Sequence, residues 1–262
     1  MSLQFFELTD EQLITHAWDA HQCQNVAARH SYYQSIGQHR KELNEIWSKR
    51  DDISYGENNG FWIGQKSVYN AYVEQFEKGQ QADLDIICKT HPEVKNTPAN
   101  VYSGVLVFHT LMSRLIEVAA DGKTAKGMWY SPGIVTEVDC DGEAHPRWRF
   151  DRYGIDFIKE DGEWKIWHLF CGMEFKIDFG DQYVPGNGMR PLPGYVPPEA
   201  NPKVKGMPNS TSFIPQYDYT AKIYDVSSGW CPYPPVPMPY KTFSETFTYG
   251  PEPWVAAGKG LY

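Results

Sequence analysis

The chain has 262 residues, with 24 Lys and Arg against 33 Asp and Glu and a net charge of −9. The acidic excess sits in residues 1–184, where 28 acidic side chains face 18 basic ones, a balance that excludes a nucleic-acid surface built on clustered Lys and Arg. With 41% hydrophobic and 15% aromatic residues there is material for a large core, and no apolar run approaches the roughly 20 residues that cross a bilayer.

The N-terminus, MSLQFFELTDEQ, has neither a basic leader nor an apolar run of signal-peptide length, so the expectation is a soluble, cytoplasmic protein. Five scattered cysteines without a C-x-x-C pair read as reduced thiols.

Residues 10–19 have amphipathic spacing, with Thr9 or Asp10 available as the helix N-cap. Asn25–Ser48 is the best helix candidate. It lacks Pro, has Gly37 as its only glycine, and places Arg29, Ile36, Arg40, Leu43 and Trp47 on one face at 3.6-residue spacing. Arg50–Gly64 reads as a short strand with loops, and Gln65–Phe76 returns to helical spacing through Val68, Tyr69, Tyr72, Val73 and Phe76.

From Val101 the pattern changes. Asp121-Gly122, Asp141-Gly142 and Asp161-Gly162 each lie between stretches rich in Val, Ile, Trp, Tyr and Phe, and Asp-Gly suits two-residue hairpin turns. The three turns predict a four-stranded antiparallel meander over about 101–120, 123–138, 146–160 and 163–171. Helices first and a meander after is an α+β plan, and the N-terminal helices are the cover for one face of the sheet.

Residues 185–262 hold 15 of the 19 prolines and 13 aromatic residues. That density excludes ordinary helix or central strand, and the aromatic content is unlike a flexible linker. The expectation is a body over 1–184 and an extended arm over 185–262, whose aromatic side chains dock on its own body or on a neighbouring subunit of a homo-oligomer. A partly disordered tail is the alternative, and CPYPPVPMPY (231–240) also reads as a polyproline ligand.

Three stretches carry a resemblance: LNEIWSKRDDISYGENNGFWIGQKSVYNAYV (43–73), HTLMSRLIEVAADGKTAKGMWY (109–130) and RYGIDFIKEDGEWKIWHL (152–169). They make residues 25–171 similar to the NTF2-like superfamily and, within it, to the SnoaL-like group of polyketide cyclases, ketosteroid isomerases, scytalone dehydratase and bile-acid dehydratases. The resemblance implies a cone of strongly curved sheet closed by helices, with a pocket at the wide end. It also implies a cofactor-independent lyase (dehydratase) or isomerase acting on a small hydrophobic, cyclic, oxygenated molecule. A non-catalytic binding or assembly module is the alternative.

Such a pocket needs an acid or base and groups that stabilise developing charge. His109 sits among Val105, Val107 and Leu111, and His109–Arg114 is similar to the H-x-x-x-x-R strand segment of the scytalone dehydratase type. Strict alternation puts His109 on the opposite face from Ile116 and Val118, so an inward His109 requires a β-bulge between them. Glu57 ends a D-D-x-x-x-x-acid stretch similar to that of ketosteroid isomerases; beside Phe61 and Trp62 its pKa would be raised. Asp52 is a candidate carboxylate partner, and Asp51 reads as a solvated cap. Tyr32 or Tyr33 supplies the helix tyrosine that family dehydratases carry, without the Asp that follows it there; Tyr33 is the candidate donor to a substrate oxygen.

A two-residue turn at Asp161-Gly162 sets Phe157 opposite Ile166, Ile155 opposite His168, and Tyr153 opposite Phe170. That register places His168, Arg149, Asp151 and Tyr153 on one face at the cavity mouth, although Arg149–Asp151 also reads as a structural ion pair. Trp62 and Trp129 suit stacking on a flat ligand or serve as core. No G-x-G-x-x-G, Walker A loop, G-x-S-x-G elbow, H-E-x-x-H or His pair at metal-ligand spacing occurs, so no cofactor and no metal are expected.

Overall fold

The computed structural model describes residues 7–57, 60–179, 213–215 and 235–251. Helix α1 runs over Asp10–Ser35, longer at its start than the 25–48 segment and ended sooner. Thr9 caps it through a reciprocal pair with Gln12, which satisfies two N-terminal donors at once. The buried stripe of α1 is Asp19, Cys23, Ala27 and His30, whereas Arg29 and Ile36 face outward. The chain then breaks at Gly37, whose φ of +65° is open to glycine, and restarts as α2 (His39–Glu45). A β-carbon at Gly37 would stand 2.7 Å from Gln80 and 2.8 Å from Tyr102.

Strands β1 (Ser54–Glu57) and β2 (Gly60–Ile63) form a short antiparallel pair. The helical run that follows comprises α3 (Gln65–Tyr69), a π-helical turn over Asn70–Gln75, and α4 (Phe76–Thr90). The first meander segment is split into β3 (Leu106–His109) and β4 (Met112–Val118), both paired with β5 (Thr124–Val138). Then come β6 (Ala144–Glu160) and β7 (Glu163–Asp178). β1 pairs parallel to β7, and β8 (Phe213–Pro215) adds to the free edge of β2, giving the order β3–β5–β6–β7–β1–β2–β8.

This is an α+β fold with helices against a curved, mixed sheet. Its sheet is therefore not purely antiparallel: the parallel β1–β7 contact has no local turn to announce it. Three one-residue slips interrupt the ladders, one of them on β7 between the pairs Phe150–Phe175 and Asp151–Met173, and the other two reset the faces of candidate residues. On β4 the register shifts between Met112 and Leu115, with Ser113 at φ +52°; His109 opposes Gly133 and Ile116 opposes Gly127, positions of one parity on β5. The required bulge is present, and His109 and Ile116 share a face. On β7 the slip falls between the pairs Phe157–Ile166 and Asp156–His168. Trp167 is the extra residue, so His168 opposes Asp156 instead of Ile155, and Tyr153 opposes Cys171 instead of Phe170.

The inner face carries Trp129, Tyr153, Ile155, Phe157, Leu169 and Cys171, and Cys23, Ala27, Leu43, Trp47, Val68 and Tyr72 pack on it from the helices. On the outer face lies residue segment 235–251. Its Tyr240 carbonyl accepts from the Ala120 N–H at 3.1 Å, and its Tyr249 ring lies over Gly154, leaving no room there for a β-carbon. Apart from β8, the rest of the expected arm, including residues 231–234 of the proline run, lies outside the described residues.

Candidate active site

The inner face is apolar toward the Asp161-Gly162 turn and polar toward the far ends of β5 and β6. Alternation places Tyr153, Asp151 and Arg149 in succession on β6, opposite Trp129, Ser131 and Gly133 of β5. The Arg149 guanidinium donates through Nε to both oxygens of Asp151, at 2.9 and 2.8 Å. Asp151 is fully buried. Burial alone would raise its carboxyl, but Arg149 and His109 outweigh that and hold it below the ordinary range.

His109 ends β3 beside this pair and is buried, with its Nδ1 3.3 Å from Asp151 Oδ2. That contact is within ion-pair reach but lacks hydrogen-bond alignment, so Nδ1 is left without a hydrogen-bond partner. Burial pushes the His109 imidazole below its ordinary pKa; Arg149 and His30 push the same way, against the pull of Asp151. The ring is therefore neutral at neutral pH, as a base requires. Helix α1 locks the strand in place: Ser31 donates its hydroxyl to the His109 carbonyl. Next to Ser31, His30 is also buried, and its ring meets Tyr153 edge-on at 5.4 Å, as His109 does at 6.1 Å.

Two further buried polar atoms here have no hydrogen-bond partner among the described residues: His30 Nε2 and the Ser131 hydroxyl, the latter on the residue directly opposite Asp151. Leaving a buried polar group unpaired costs about 1–3 kcal/mol. In native structures such atoms are accounted for by strain, by a bound water or ion, or by a catalytic role.

A family model for the SnoaL-like domain matches residues 15–169. The chain belongs to the SnoaL-like family. This NTF2-like group is of lyase and isomerase type, with dehydratases and isomerases among its members. Similar solved structures include a candidate scytalone dehydratase of Novosphingobium aromaticivorans, 11% identical over 66% of this chain and 95% of that one, TM-score 0.46. Hexachlorocyclohexane dehydrochlorinase LinA-type3 of Novosphingobium barchaimii is 14% identical over 66% and 98%, TM-score 0.43. An NTF2-like protein with a cystatin-like fold from Novosphingobium aromaticivorans is 14% identical over 65% and 92%, TM-score 0.40. No curated protein matches the chain in sequence.

In this SnoaL-like domain His109, Arg149 and Tyr153 come together. Glu57 lies nearby at the end of β1, where it opposes Cys171 and accepts the Tyr55 hydroxyl. Phe61 does not wall it in, because Phe61 lies on the outer face against Phe170 and Tyr249; Trp62 stacks on Tyr55 at 5.4 Å on the inner side.

The other candidates lie elsewhere. The Tyr33 hydroxyl is committed to Glu45 on the helix surface. Asp52 is exposed, paired with Arg50 at 2.8 Å and accepting from the Trp167 indole at 2.9 Å. Trp129 is fully buried, its indole on Gln24 and its ring edge-on to Phe157. The Trp167 slip puts His168 on the outer face, 2.9 Å from Asp156, so it does not join His109 and Asp151. Sequence reasoning missed His30 and Ser131. The spacing 23, 27, 30 is a helical stripe, but a register anchored on Arg29 and Ile36 hid it. Nothing local marks Ser131. No helix is long and apolar enough to cross a membrane, and no cluster of metal-binding side chains occurs among the described residues.

Proposed function

We propose that the chain is a cofactor-independent lyase or isomerase in which His109 takes a proton from carbon in a small, hydrophobic, cyclic, oxygenated molecule. The observation that carries this reading is the pairing of a buried, neutral imidazole with a carboxylate already fixed by Arg149. When a ligand closes the site, His109 Nδ1–H turns onto Asp151 and the other ring nitrogen presents its lone pair. Loose geometry of this kind is common before a ligand binds. Asp151 then stabilises the imidazolium as it forms, while the Ser131 hydroxyl faces the substrate's polar group. In a dehydratase the carbanion expels the hydroxyl of the neighbouring carbon, which takes up a proton to leave as water; in an isomerase the same imidazolium returns the proton two carbons further on, at the far end of the dienolate.

The test is a screen of cyclic β-hydroxy-ketones for loss of water and of cyclic β,γ-unsaturated ketones for conjugation. His109→Ala should lower the rate by roughly 10²–10⁴, the usual contribution of a positioned acid or base. Unchanged turnover in that variant sinks the assignment.

A second reading concerns assembly. On the outer face, Phe108, Ile134 and Trp148 form one row across three strands. Phe108, Trp148, Leu106, Met112 and Phe179 are between 43% and 54% exposed. An apolar surface of this extent favours a second copy of the chain as its cover. Trp148→Asp should then give monomer by sedimentation at a concentration where the parent chain is a dimer or larger.

A further inference from the structure

Two irregularities in the helical layer converge on one side chain. The break at Gly37 turns α2 back along α1, which brings Glu42 under His30; the His30 Nδ1–H donates to Glu42 Oε1 at 2.7 Å. The π-helical turn carries Tyr72, whose hydroxyl donates to the same carboxylate at 2.9 Å. Such turns interrupt α-helices frequently at functional sites. The Trp47 indole supplies a third donor at 3.1 Å.

Glu42 is fully buried and receives three donors, so it is a carboxylate with no proton of its own to give. A buried carboxylate needs a counter-charge. Among the described residues neither Lys nor Arg pairs with it, and the one side chain in salt-bridge contact with it is His30. The second imidazole nearby, His39, is pushed down to about 4 by burial and stays neutral. The positive charge therefore belongs on His30, whose Nε2–H is then a buried donor without an acceptor. The groups facing His30 are Glu42 and His39 from α2, Tyr72 from the π turn, Tyr153 from β6 and His109 from β3.

We propose that His30 is the second catalytic group of this site, its Nε2–H protonating the oxygen that leaves the substrate, with Glu42 as its positioning residue. This rests on the proton-transfer reading of His109 and narrows it to elimination of water from a β-hydroxy carbonyl compound. The neutral His109 imidazole takes the proton from carbon, and the C–H electron pair becomes the new C=C bond. The C–O bond breaks toward oxygen, which departs as water with the proton from His30. His109 is left protonated and His30 neutral; a proton passing from the first to the second through water restores the starting state.

The experiment compares two probes on the full chain: 3-hydroxycyclohexanone, whose hydroxide must be protonated to leave, and 3-(4-nitrophenoxy)cyclohexanone, whose phenolate leaves without a proton. His30→Gln should slow the first by about 10²–10⁴ and change the second by less than tenfold, while His109→Ala slows both. Equal losses on both probes in His30→Gln overturn the assignment and leave the His109 reading standing. No turnover of either probe by the unmodified chain overturns both. Glu42→Gln removes the counter-charge and so should move the high-pH limb of the 3-hydroxycyclohexanone profile to lower pH; an unmoved limb counts against the role of Glu42. Nitrogen-15 spectra of the histidine-labelled chain give a readout independent of the variants' folding. His30 should show both ring nitrogens protonated in the active enzyme, with the Nε2 signal shifting on addition of 3-hydroxycyclohexanone. A bare, unresponsive Nε2 overturns the proposal.

Discussion

His39 and His109 both sit where an imidazolium is penalised, and this sets how stability depends on pH. His39 is buried against Phe76, with ring centroids 4.4 Å apart, and Tyr72 meets it edge-on. In the unfolded chain a histidine titrates near 6.5, whereas burial holds folded His39 at about 4 and moves His109 in the same direction. Between those values the unfolded chain binds the extra proton, so stability is complete above about pH 6.5 and falls as pH drops toward 4. For His39 the loss is on the order of 3 kcal/mol. Urea midpoints should fall over that window, and His39→Phe should flatten the slope; an unchanged slope would assign the effect to other groups. At this scale the sequence was informative where chemistry is local. A histidine among valines announces itself, as His109 did, and an Arg and Asp two apart on a strand share a face. His30 and Glu42 lie 12 residues apart on two helices, and only the turn at Gly37 makes them neighbours.

Elements explain which candidates the structure brings together. The chain reverses at all three Asp-Gly pairs, with Gly122, Gly142 and Gly162 at positive φ, which makes β5, β6 and β7 legible; only Asp161-Gly162 is a two-residue turn, the other two connections being longer. Strand parity did not survive everywhere, because a slip of one residue exchanges the faces of everything beyond it. The slip on β4 followed from the need to bury His109 with Ile116, a conflict visible in the residues themselves. The slip at Trp167 had no such signal, since Trp and His suit either face of a half-buried strand, and so His168 was placed on the wrong side. Helices show the same limit: Gly37 was noted as the only glycine of its segment, but whether it breaks the helix depends on what packs beside it. Gly37→Ala meets a positive φ and the Gln80 and Tyr102 side chains together. It should cost more than about 1 kcal/mol in chemical denaturation, and it should weaken the His30–Glu42 bond, seen as a shifted His30 Nδ1 resonance.

Across the whole molecule, the sheet is held from both sides. On its outer face Lys126, Asp156 and His168 stand in one row across β5, β6 and β7. Lys126 is fully buried, with Nζ 2.6 Å from Asp156, 4.5 Å from the Phe243 ring centre and 4.6 Å from that of Phe247. Asp156 also accepts the Thr248 hydroxyl at 2.6 Å and the Tyr249 N–H at 2.7 Å. Burial would raise this carboxyl, but Lys126 and His168 bring it down to about 2. Cation–π contacts gain when the charge is desolvated, so residues 235–251 are strapped on by a charge that the sheet supplies. Tyr249→Ala should cost about 3–5 kcal/mol, as removal of a large buried ring does. It should also expose Lys126 to an amine-acylating reagent that leaves it untouched in the parent chain, a change read by peptide mass. Composition alone marked this region as aromatic and proline-rich; which face it covers depends on a lysine more than a hundred residues away.

The parallel contact between β1 and β7 also sets an order of assembly. Ser54 opposes His168 and Trp47 bridges to Ile166, so β1 has no sheet to join until the whole meander has formed. Closing so long a loop is the slow step in chains dominated by distant pairings. Until then the β1–β2 pair carries an open edge, and the early helices have no inner face to cover. The inner face around His109 is therefore completed late in folding, when the final hairpin arrives and the first third of the chain finds its place.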